Sequence, residues 1–317
     1  MHRIDQTRLA FDLRINQFAV VLMLMLFAFT SMSNGQTIAT VGDSEITQSQ
    51  LQREWDLLIK SQGADKALTD SEREQLRKTI LEKEINRQLV LQFLDASGQG
   101  VVGTELDLLK RKTINELKQL GITLSSHLRD QGLTPMEWEQ RLKWQVGWHR
   151  YVENYMNDEN YKNFFNQNRR QYDGTQLKVA HILIRTENIK DQASESALLT
   201  SVKSEIESDK LSFTAAAAQH SQSPSAKKDG ELGWIEWVQP MPASFTRAAF
   251  ALKPGSISKP VSTSFGLHLI TVLEEKPGNK TWQQTRKALR EGMRDFLFTW
   301  SADQQREKTE VKILRKW

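Results

Sequence analysis

Residue types that could perform metal or covalent chemistry are sparse in this sequence. It has six histidines and no cysteine, and it contains no His-Glu-x-x-His pair, so a metal enzyme has little support. Neither Ser221 nor Ser223 lies in a Gly-x-Ser-x-Gly turn, and a serine hydrolase has equally little support. The histidines that stand out are His181 and His268, because each lies in an apolar segment rich in β-branched residues.

Length and composition are those of an ordinary globular protein. The chain has 317 residues, of which 38% are hydrophobic and 26% charged, and this length allows two domains, each with its own core. Lys and Arg number 43 against 39 acidic residues, a formal net charge of +4 without a basic run. Neither the balance nor the distribution of charge indicates a nucleic-acid partner.

The first 35 residues have the pattern of a secretory signal peptide. A basic start precedes an unbroken apolar run, residues 18–29, and small or polar residues follow it. The run is shorter than the roughly 20 residues that span a bilayer. Because an Ala-x-Ala cleavage site is absent, an uncleaved anchor stays open as an alternative. We therefore expect a periplasmic protein, or a membrane-anchored protein that faces the periplasm.

Residues 36–174 predict a short strand at 38–41, a turn at Gly42-Asp43 and five helices. Capping patterns mark the helix starts, and apolar residues at helical spacing follow each of them. Leu106, Leu109, Leu117 and Leu120 are expected to point inward from the third helix. The expected start signals are Thr47 with Gln50, Ser71 with Glu74, Thr104, Thr134-Pro135 with Glu137, and Asp158. Gly98 and Gly121 are expected to end the second and third helices.

The pattern changes after Gly174. Residues 177–184 and 267–273 predict β-strands, with short helices and Gly/Pro turns between them. Residues 281–306 then predict a helix, and residues 310–314 a closing strand. A helix and a strand with no core of their own must pack elsewhere, so we hypothesise that 311–314 pairs with 38–41.

The segment 177–274 resembles the parvulin family of peptidyl-prolyl isomerases along its entire length. Several fragments occur in the family's order over roughly 100 residues, which is a far more specific signal than any one of them. The fragments include Val179-Ala180-His181-Ile182-Leu183, Gly230-Glu231-Leu232-Gly233-Trp234, Met241-Pro242-Ala243-Ser244-Phe245, Leu252-Lys253-Pro254-Gly255 and Phe265-Gly266-Leu267-His268-Leu269-Ile270. The flanking regions resemble the helical parts of SurA-like and PrsA-like exported folding factors.

These resemblances imply an α+β fold in which a small antiparallel sheet packed with helices is inserted in a mainly α-helical domain formed by both chain ends. The predicted boundaries are 1–35 for the signal peptide, 36–174 for the helical domain, 175–275 for the isomerase domain and 276–317 for the returning helix and strand. The implied activity is cis/trans isomerisation of X-Pro bonds, with no cofactor or metal. The implied partners are unfolded or nascent exported polypeptides.

By resemblance, Met241 and Phe245 hold the proline ring with Leu232 nearby, and Leu232 and Phe265 belong to the same substrate-binding group. Met241 and Phe245 are four residues apart, so on a helix that begins near Pro242 they could point the same way. The alternative is that both are ordinary core residues.

The resemblance also pairs His181 with His268 on neighbouring strands and makes Thr263 the hydroxyl that supports them. Two neutral imidazoles can fix one another's tautomers, because each offers one donor and one acceptor. Ser223 stands where parvulins usually have Cys or Asp, so this chain lacks the negative charge of an aspartate. The alternative for Ser223 is a residue of a solvated loop.

Charge argues against one substrate class, and one functional alternative stays open. Arg185 and Lys190 are interrupted by Glu187 and followed by Asp191 and Glu195, and such mixed charge does not favour phosphopeptides. The chain could also be a weak or inactive parvulin that acts as a holdase chaperone. In that case Trp138, Trp144 and Trp148 could line a peptide groove, although such residues are more often core.

Overall fold

A computed structural model describes residues 35–61, 68, 70–185, 191–237, 241–263 and 265–317. The predicted signal peptide lies outside these residues except for Gly35, as do Glu187 and Lys190. The predicted α+β class is confirmed: helices predominate, and two small antiparallel sheets accompany them. Within the described ranges, no helix is both long and apolar enough to cross a bilayer.

The first sheet and helices follow the capping signals closely. β1 (Thr37–Val41) and β2 (Ser44–Thr47) form a hairpin that leads into α1 (Gln48–Ser61). Thr47 N donates to Gln50 Oε1 at 2.8 Å, and Gln50 N donates to Thr47 Oγ1 at 3.4 Å, which is the predicted capping box. α2 (Asp70–Ala96) is the longest helix and begins one residue before Ser71.

The third predicted helix is correct in place but wrong in two details. α3 (Gly103–Gln119) begins before Thr104, and its N-cap residue is Val102, whose side chain makes no capping hydrogen bond. Leu106 and Leu117 are buried as expected, whereas Leu120 is 73% exposed because it lies beyond the last helical turn. α4 (Leu124–Asp130) follows as a short additional helix.

The tryptophan-bearing segment contributes to the core. α5 (Pro135–Lys143) has the predicted capping box between Thr134 and Glu137, and a π-helical turn, Trp144–Trp148, joins it to α6 (His149–Tyr155). Trp138 and Trp148 are buried in two different apolar clusters, and Trp144 stacks on Trp148 with ring centroids 5.3 Å apart. The core alternative therefore holds for this segment.

Three elements complete the helical part, and the chain end closes its sheet. α7 (Asp158–Gln167) and α8 (Arg169–Tyr172) precede the second sheet, and α12 (Arg286–Arg306) follows it. α12 begins five residues later than predicted, because residues 282–285 form a turn. β7 (Val311–Ile313) pairs antiparallel with β1, with Ala39 opposite Ile313, which confirms the hypothesised pairing of the chain ends.

The second sheet contains four antiparallel strands in the order β4–β3–β6–β5. They are β3 (Gln176–Ile184), β4 (Glu231–Glu236), β5 (Val261–Thr263) and β6 (Gly266–Lys276). α9 (Gln192–Glu207) and α10 (Phe213–His220) cover one face, and α11 (Ala243–Ala251) covers the other. A 3-10 turn, Pro224–Lys228, lies between α10 and β4.

Alternation along the two central strands decides which face the histidines occupy. Side chains two residues apart in a strand share a face, and Leu177 and Val179 of β3 pack with Ile270 and Val272 of β6 under α11. His181 and His268 continue these two rows. Both histidines therefore lie on the face of the sheet that α11 covers.

Candidate active site

The two histidines form a direct side-chain contact. In the β3–β6 register His181 is opposite Ile270 and His268 is opposite Leu183, so the histidines are diagonal neighbours. Their Nδ1 atoms are 3.0 Å apart, and the rings stack with centroids 5.2 Å apart. His181 and His268 were expected on neighbouring strands, and the pairing of β3 with β6 brings them into contact.

Hydroxyl side chains extend this contact at both ends. Ser223 Oγ lies 2.9 Å from His181 Nε2, and Thr263 Oγ1 lies 2.7 Å from His268 Nε2. The result is a continuous hydrogen-bonded chain of four side chains, which we call the histidine chain: Ser223, His181, His268 and Thr263.

The outer contacts of the histidine chain indicate its direction. Ser225 Oγ donates to Ser223 Oγ at 2.9 Å, which leaves the Ser223 proton for His181 Nε2. His181 then carries its proton on Nδ1 and donates to His268 Nδ1, and His268 donates from Nε2 to Thr263. Thr263 Oγ1 can donate onward to the carbonyl oxygen of Gly266, 3.4 Å away. Every group in this order donates once along the chain.

Both imidazoles are neutral at pH 7. His181 and His268 are 6% and 3% exposed. Burial lowers the pKa of His181 to about 4, and burial together with the repulsion of His181 lowers the pKa of His268 to about 4. Neutral rings can each donate one proton and accept another, as the histidine chain requires.

Backbone contacts place Ser223 at the end of this chain. Leu183 N donates to Ser221 Oγ at 3.1 Å, and Gln222 N donates to the Leu183 carbonyl oxygen at 2.7 Å, so the segment runs beside β3. Gly230 closes the same loop at φ 76°, and a Cβ there would lie 2.6 Å from the His181 carbonyl oxygen. The loop thus needs glycine at this position, both for its conformation and for space.

Phe245 forms the apolar wall of the histidine pair. It is fully buried, and its ring meets those of His181 and His268 edge-on, at centroid distances of 5.9 and 5.4 Å. The structure therefore places Phe245 in the core of the sheet and against the histidines, and its role in holding the proline ring stays a prediction.

The other expected substrate-binding residues lie nearer the surface. Met241 is partly buried and packs against the cluster that contains Phe245, but α11 begins at Ala243, so the helical spacing argument for Met241 was wrong. Leu232 lies at the bulge between β3 and β4 and is 37% exposed. Phe265 is 53% exposed, and its backbone N–H donates to Thr263 Oγ1 at 3.0 Å.

Sequence reasoning missed Ser221 and Ser225. For Ser221, alternation with Ser223 was the available signal, because residues two apart in an extended segment can share a face. Ser225 lies in the 3-10 turn Pro224–Lys228, where alternation gives no signal. The nearby Lys227 and Lys228 are exposed, as expected for a solvated loop. Among the described residues there is no group of three or more side chains suited to hold a metal.

Comparison with known proteins agrees with this geometry. Residues 181–274 match the model of the PPIC-type PPIase domain, and residues 11–152 match that of the SurA-like N-terminal domain. A relative from Bordetella bronchiseptica, named "Probable parvulin-type peptidyl-prolyl cis-trans isomerase", is 31% identical over 308 residues, covering 94% of this chain and 99% of that one. The chain belongs to the parvulin-type isomerase family.

Two further similarities cover parts of this parvulin. The chaperone SurA of Thiobacillus denitrificans is 37% identical over 121 residues, which are 38% of this parvulin but only 27% of that SurA. The crystal structure of the peptidylprolyl isomerase PrsA from Bacillus anthracis is 20% identical, with a TM-score of 0.37, and the match covers 72% of this chain and 96% of that one.

Proposed function

We propose that this chain isomerises unphosphorylated X-Pro bonds in exported polypeptides, using the site around the histidine chain. The observation that supports this function best is the hydrogen-bonded set Ser223–His181–His268–Thr263 with Phe245 edge-on against both rings. In this set His181, His268 and Thr263 are buried, and the half-buried Ser223 hydroxyl lies at one end.

Such a set suits a reaction that breaks no covalent bond. Rotation about a prolyl amide has a barrier of about 20 kcal/mol, because resonance holds the amide planar. A site lowers this barrier when it holds the twisted amide better than the planar one. Met241 and Leu232 are proposed to grip the proline ring beside Phe245, and the Ser223 hydroxyl to face the substrate carbonyl.

The charge around the site supports an unphosphorylated substrate. Of the proposed loop charges, Arg185 is exposed, and Asp191 at the start of α9 is exposed as well. A phosphate group binds best where several cations converge, and opposite charges at these positions offer no such cluster.

We also propose the domain roles. Residues 36–174 and 276–317 would form the helical domain that holds the client, and residues 175–275 the isomerase domain. The β1–β7 pairing supports this division, because it joins both ends of the chain into one sheet. Residues 1–35 are proposed to direct export to the periplasm, either as a cleaved signal peptide or as a retained anchor.

The decisive test is an isomerisation assay on an unphosphorylated X-Pro peptide and its phosphorylated Ser-Pro counterpart. We expect turnover of the first and at least about tenfold lower kcat/KM for the second. Met241→Ala should lower kcat/KM about tenfold without unfolding the chain, since Met241 is only partly buried. Ala248→Gly, a change in the same cluster on α11, serves as the control. A folded wild-type chain that is inactive on several X-Pro peptides would refute the proposal.

A second candidate function, holding unfolded clients, is supported by an apolar groove between α1 and α2. The groove has a volume of about 390 Å³, its lining includes Ile80, and Leu57 at its edge is 58% exposed. Exposed apolar surface of this kind marks interaction sites. Leu57→Glu should weaken the suppression of client aggregation, whereas Leu108→Glu, at a 61% exposed leucine of α3, should not. Equal suppression by both variants would argue against this groove.

A further inference from the structure

We propose that Ser223 is a nucleophilic serine, with His181 as its general base and His268 as the residue that orients this base, and that it accepts acyl groups from small esters. This activity differs in kind from isomerisation, because it makes and breaks covalent bonds. It does not depend on the proposed isomerase function.

The geometry is that of an activated nucleophile. Ser223 Oγ is 2.9 Å from His181 Nε2, and His181 Nδ1 is 3.0 Å from His268 Nδ1, both within the range for a nucleophile, its base and the group that orients the base. The direction of the histidine chain leaves His181 Nε2 free of a proton, so it can accept the proton of Ser223. No sequence motif marks this arrangement, because Ser223 lies in the loop after α10 and not in a Gly-x-Ser-x-Gly turn.

The surroundings supply donors and access. Ser225 N and Ser225 Oγ lie 3.3 and 2.9 Å from Ser223 Oγ, and these contacts hold the nucleophilic oxygen in place beside His181. Ser223 is half-buried, so an ester can reach it. The apolar side chains of Met241 and Leu232 are proposed to accommodate the acyl group.

The reaction balances with water as the only other reactant. Ser223 Oγ attacks the ester carbonyl carbon and its proton passes to His181 Nε2. The bond from carbon to the leaving oxygen then breaks, and His181 returns the proton to the departing alcohol. A water molecule, deprotonated by the same nitrogen, releases the carboxylic acid and restores the serine.

A fluorophosphonate probe tests the nucleophile directly on the full chain. The probe forms an O–P bond with an activated serine and releases fluoride, and peptide mass spectrometry locates the modified residue. We expect modification at Ser223 ahead of all other serines, slowed about a hundredfold in His181→Gln and at least about tenfold in His268→Gln. Because burial lowers the pKa of His181 to about 4, the rate should fall only near pH 4, not near 6.5.

A second pair of variants covers the case in which the histidine variants unfold. The chain contains no cysteine, so Ser223→Cys introduces a single thiol beside His181. Ser204→Cys introduces one at an exposed position of α9. At pH 6 the first thiol should react with iodoacetamide about tenfold faster, because the unprotonated His181 Nε2 can accept the thiol proton as the sulfur attacks. The proposal is overturned if the two thiols react alike, or if the probe leaves Ser223 of the folded wild type unmodified or modifies it as fast in a folded His181→Gln variant.

Discussion

The Nδ1 atoms of His181 and His268 lie 3.0 Å apart, so one ring donates to the other and the two cannot both be protonated without losing this bond. The pair therefore couples the protonation of the site to the folding of the sheet that holds it. Acid conditions are therefore expected to break the hydrogen bond between the two rings and to lower the stability of the sheet.

The stability of the chain should depend on these histidines between pH 4 and 6.5. Their pKa values are about 4 in the folded state and about 6.5 in the unfolded state. Between these values the unfolded state binds more protons, so stability falls as the pH decreases. From pH 7.5 to pH 5 each histidine should cost about 2 kcal/mol of unfolding free energy. Urea unfolding of the wild type and of His181→Gln/His268→Gln measures this, and equal pH dependence of the two would contradict it.

Removing the Thr263 hydroxyl should affect the histidines as well as the stability. Thr263→Val leaves His268 Nε2 and the Phe265 N–H without their acceptor and should cost about 2 kcal/mol. Thr271→Val is the matched control, because this buried threonine bonds the Ser256 carbonyl oxygen. Both variants should be less stable, but only Thr263→Val should change the histidine ¹⁵N shifts and lower kcat/KM. Unchanged shifts in Thr263→Val would argue against the histidine chain.

Arg170 should be a main stabilising contact of α8 with the isomerase segment. It donates to the carbonyl oxygens of Phe250 and Leu252 at 2.6 and 2.7 Å, and it holds Glu275 at 3.1 and 2.8 Å. Arg170→Ala should lower the unfolding free energy by about 3 kcal/mol. Its neighbour Arg169 has a side chain that is 64% exposed, and Arg169→Ala should cost about 0.5 kcal/mol. Thermal and urea unfolding compare the two, and equal losses would contradict this role.

Trp317 should secure the last residues against α1. Its ring meets Trp55 edge-on at 6.4 Å, and the Arg77 guanidinium lies 5.5 and 5.9 Å from the Trp55 and Trp317 ring centroids. Trp317→Ala should cost about 1–2 kcal/mol and change the fluorescence of Trp55. Leu314→Ala, at a residue that is 51% exposed, should change stability by less than about 0.5 kcal/mol. Equal effects of both changes would show that the Trp55 contact contributes nothing.

Features set by neighbouring residues were predictable from the sequence. The capping boxes at Thr47 and Thr134 depend on contacts three residues apart, and these contacts can be found by spacing alone. The α+β class and the pairing of the two histidines also followed, the pairing through the family resemblance. Their position on one face of the sheet then follows from alternation along each strand.

Features set by distant contacts were not predictable. Met241 was expected on a helix with Phe245, but the helix begins only at Ala243. The π-helical turn at Trp144–Trp148 was missed as well. Its Gly147 faces Leu94 and Val101, where a Cβ would lie 3.7 and 3.6 Å from their side chains. No local pattern reports such packing.

The β1–β7 pairing also sets an order of events in biosynthesis. Val41 of β1 can pair only after Val311 of β7 has been synthesised. The strands of the second sheet are closer in sequence, because all of them lie between Gln176 and Lys276. As the chain is made from its N-terminus, the second sheet can be complete while β1 still has an unpaired edge. Closing a loop of that length is slow and entropically costly. The helical part, which is proposed to hold the client, is therefore expected to mature last, after the second sheet.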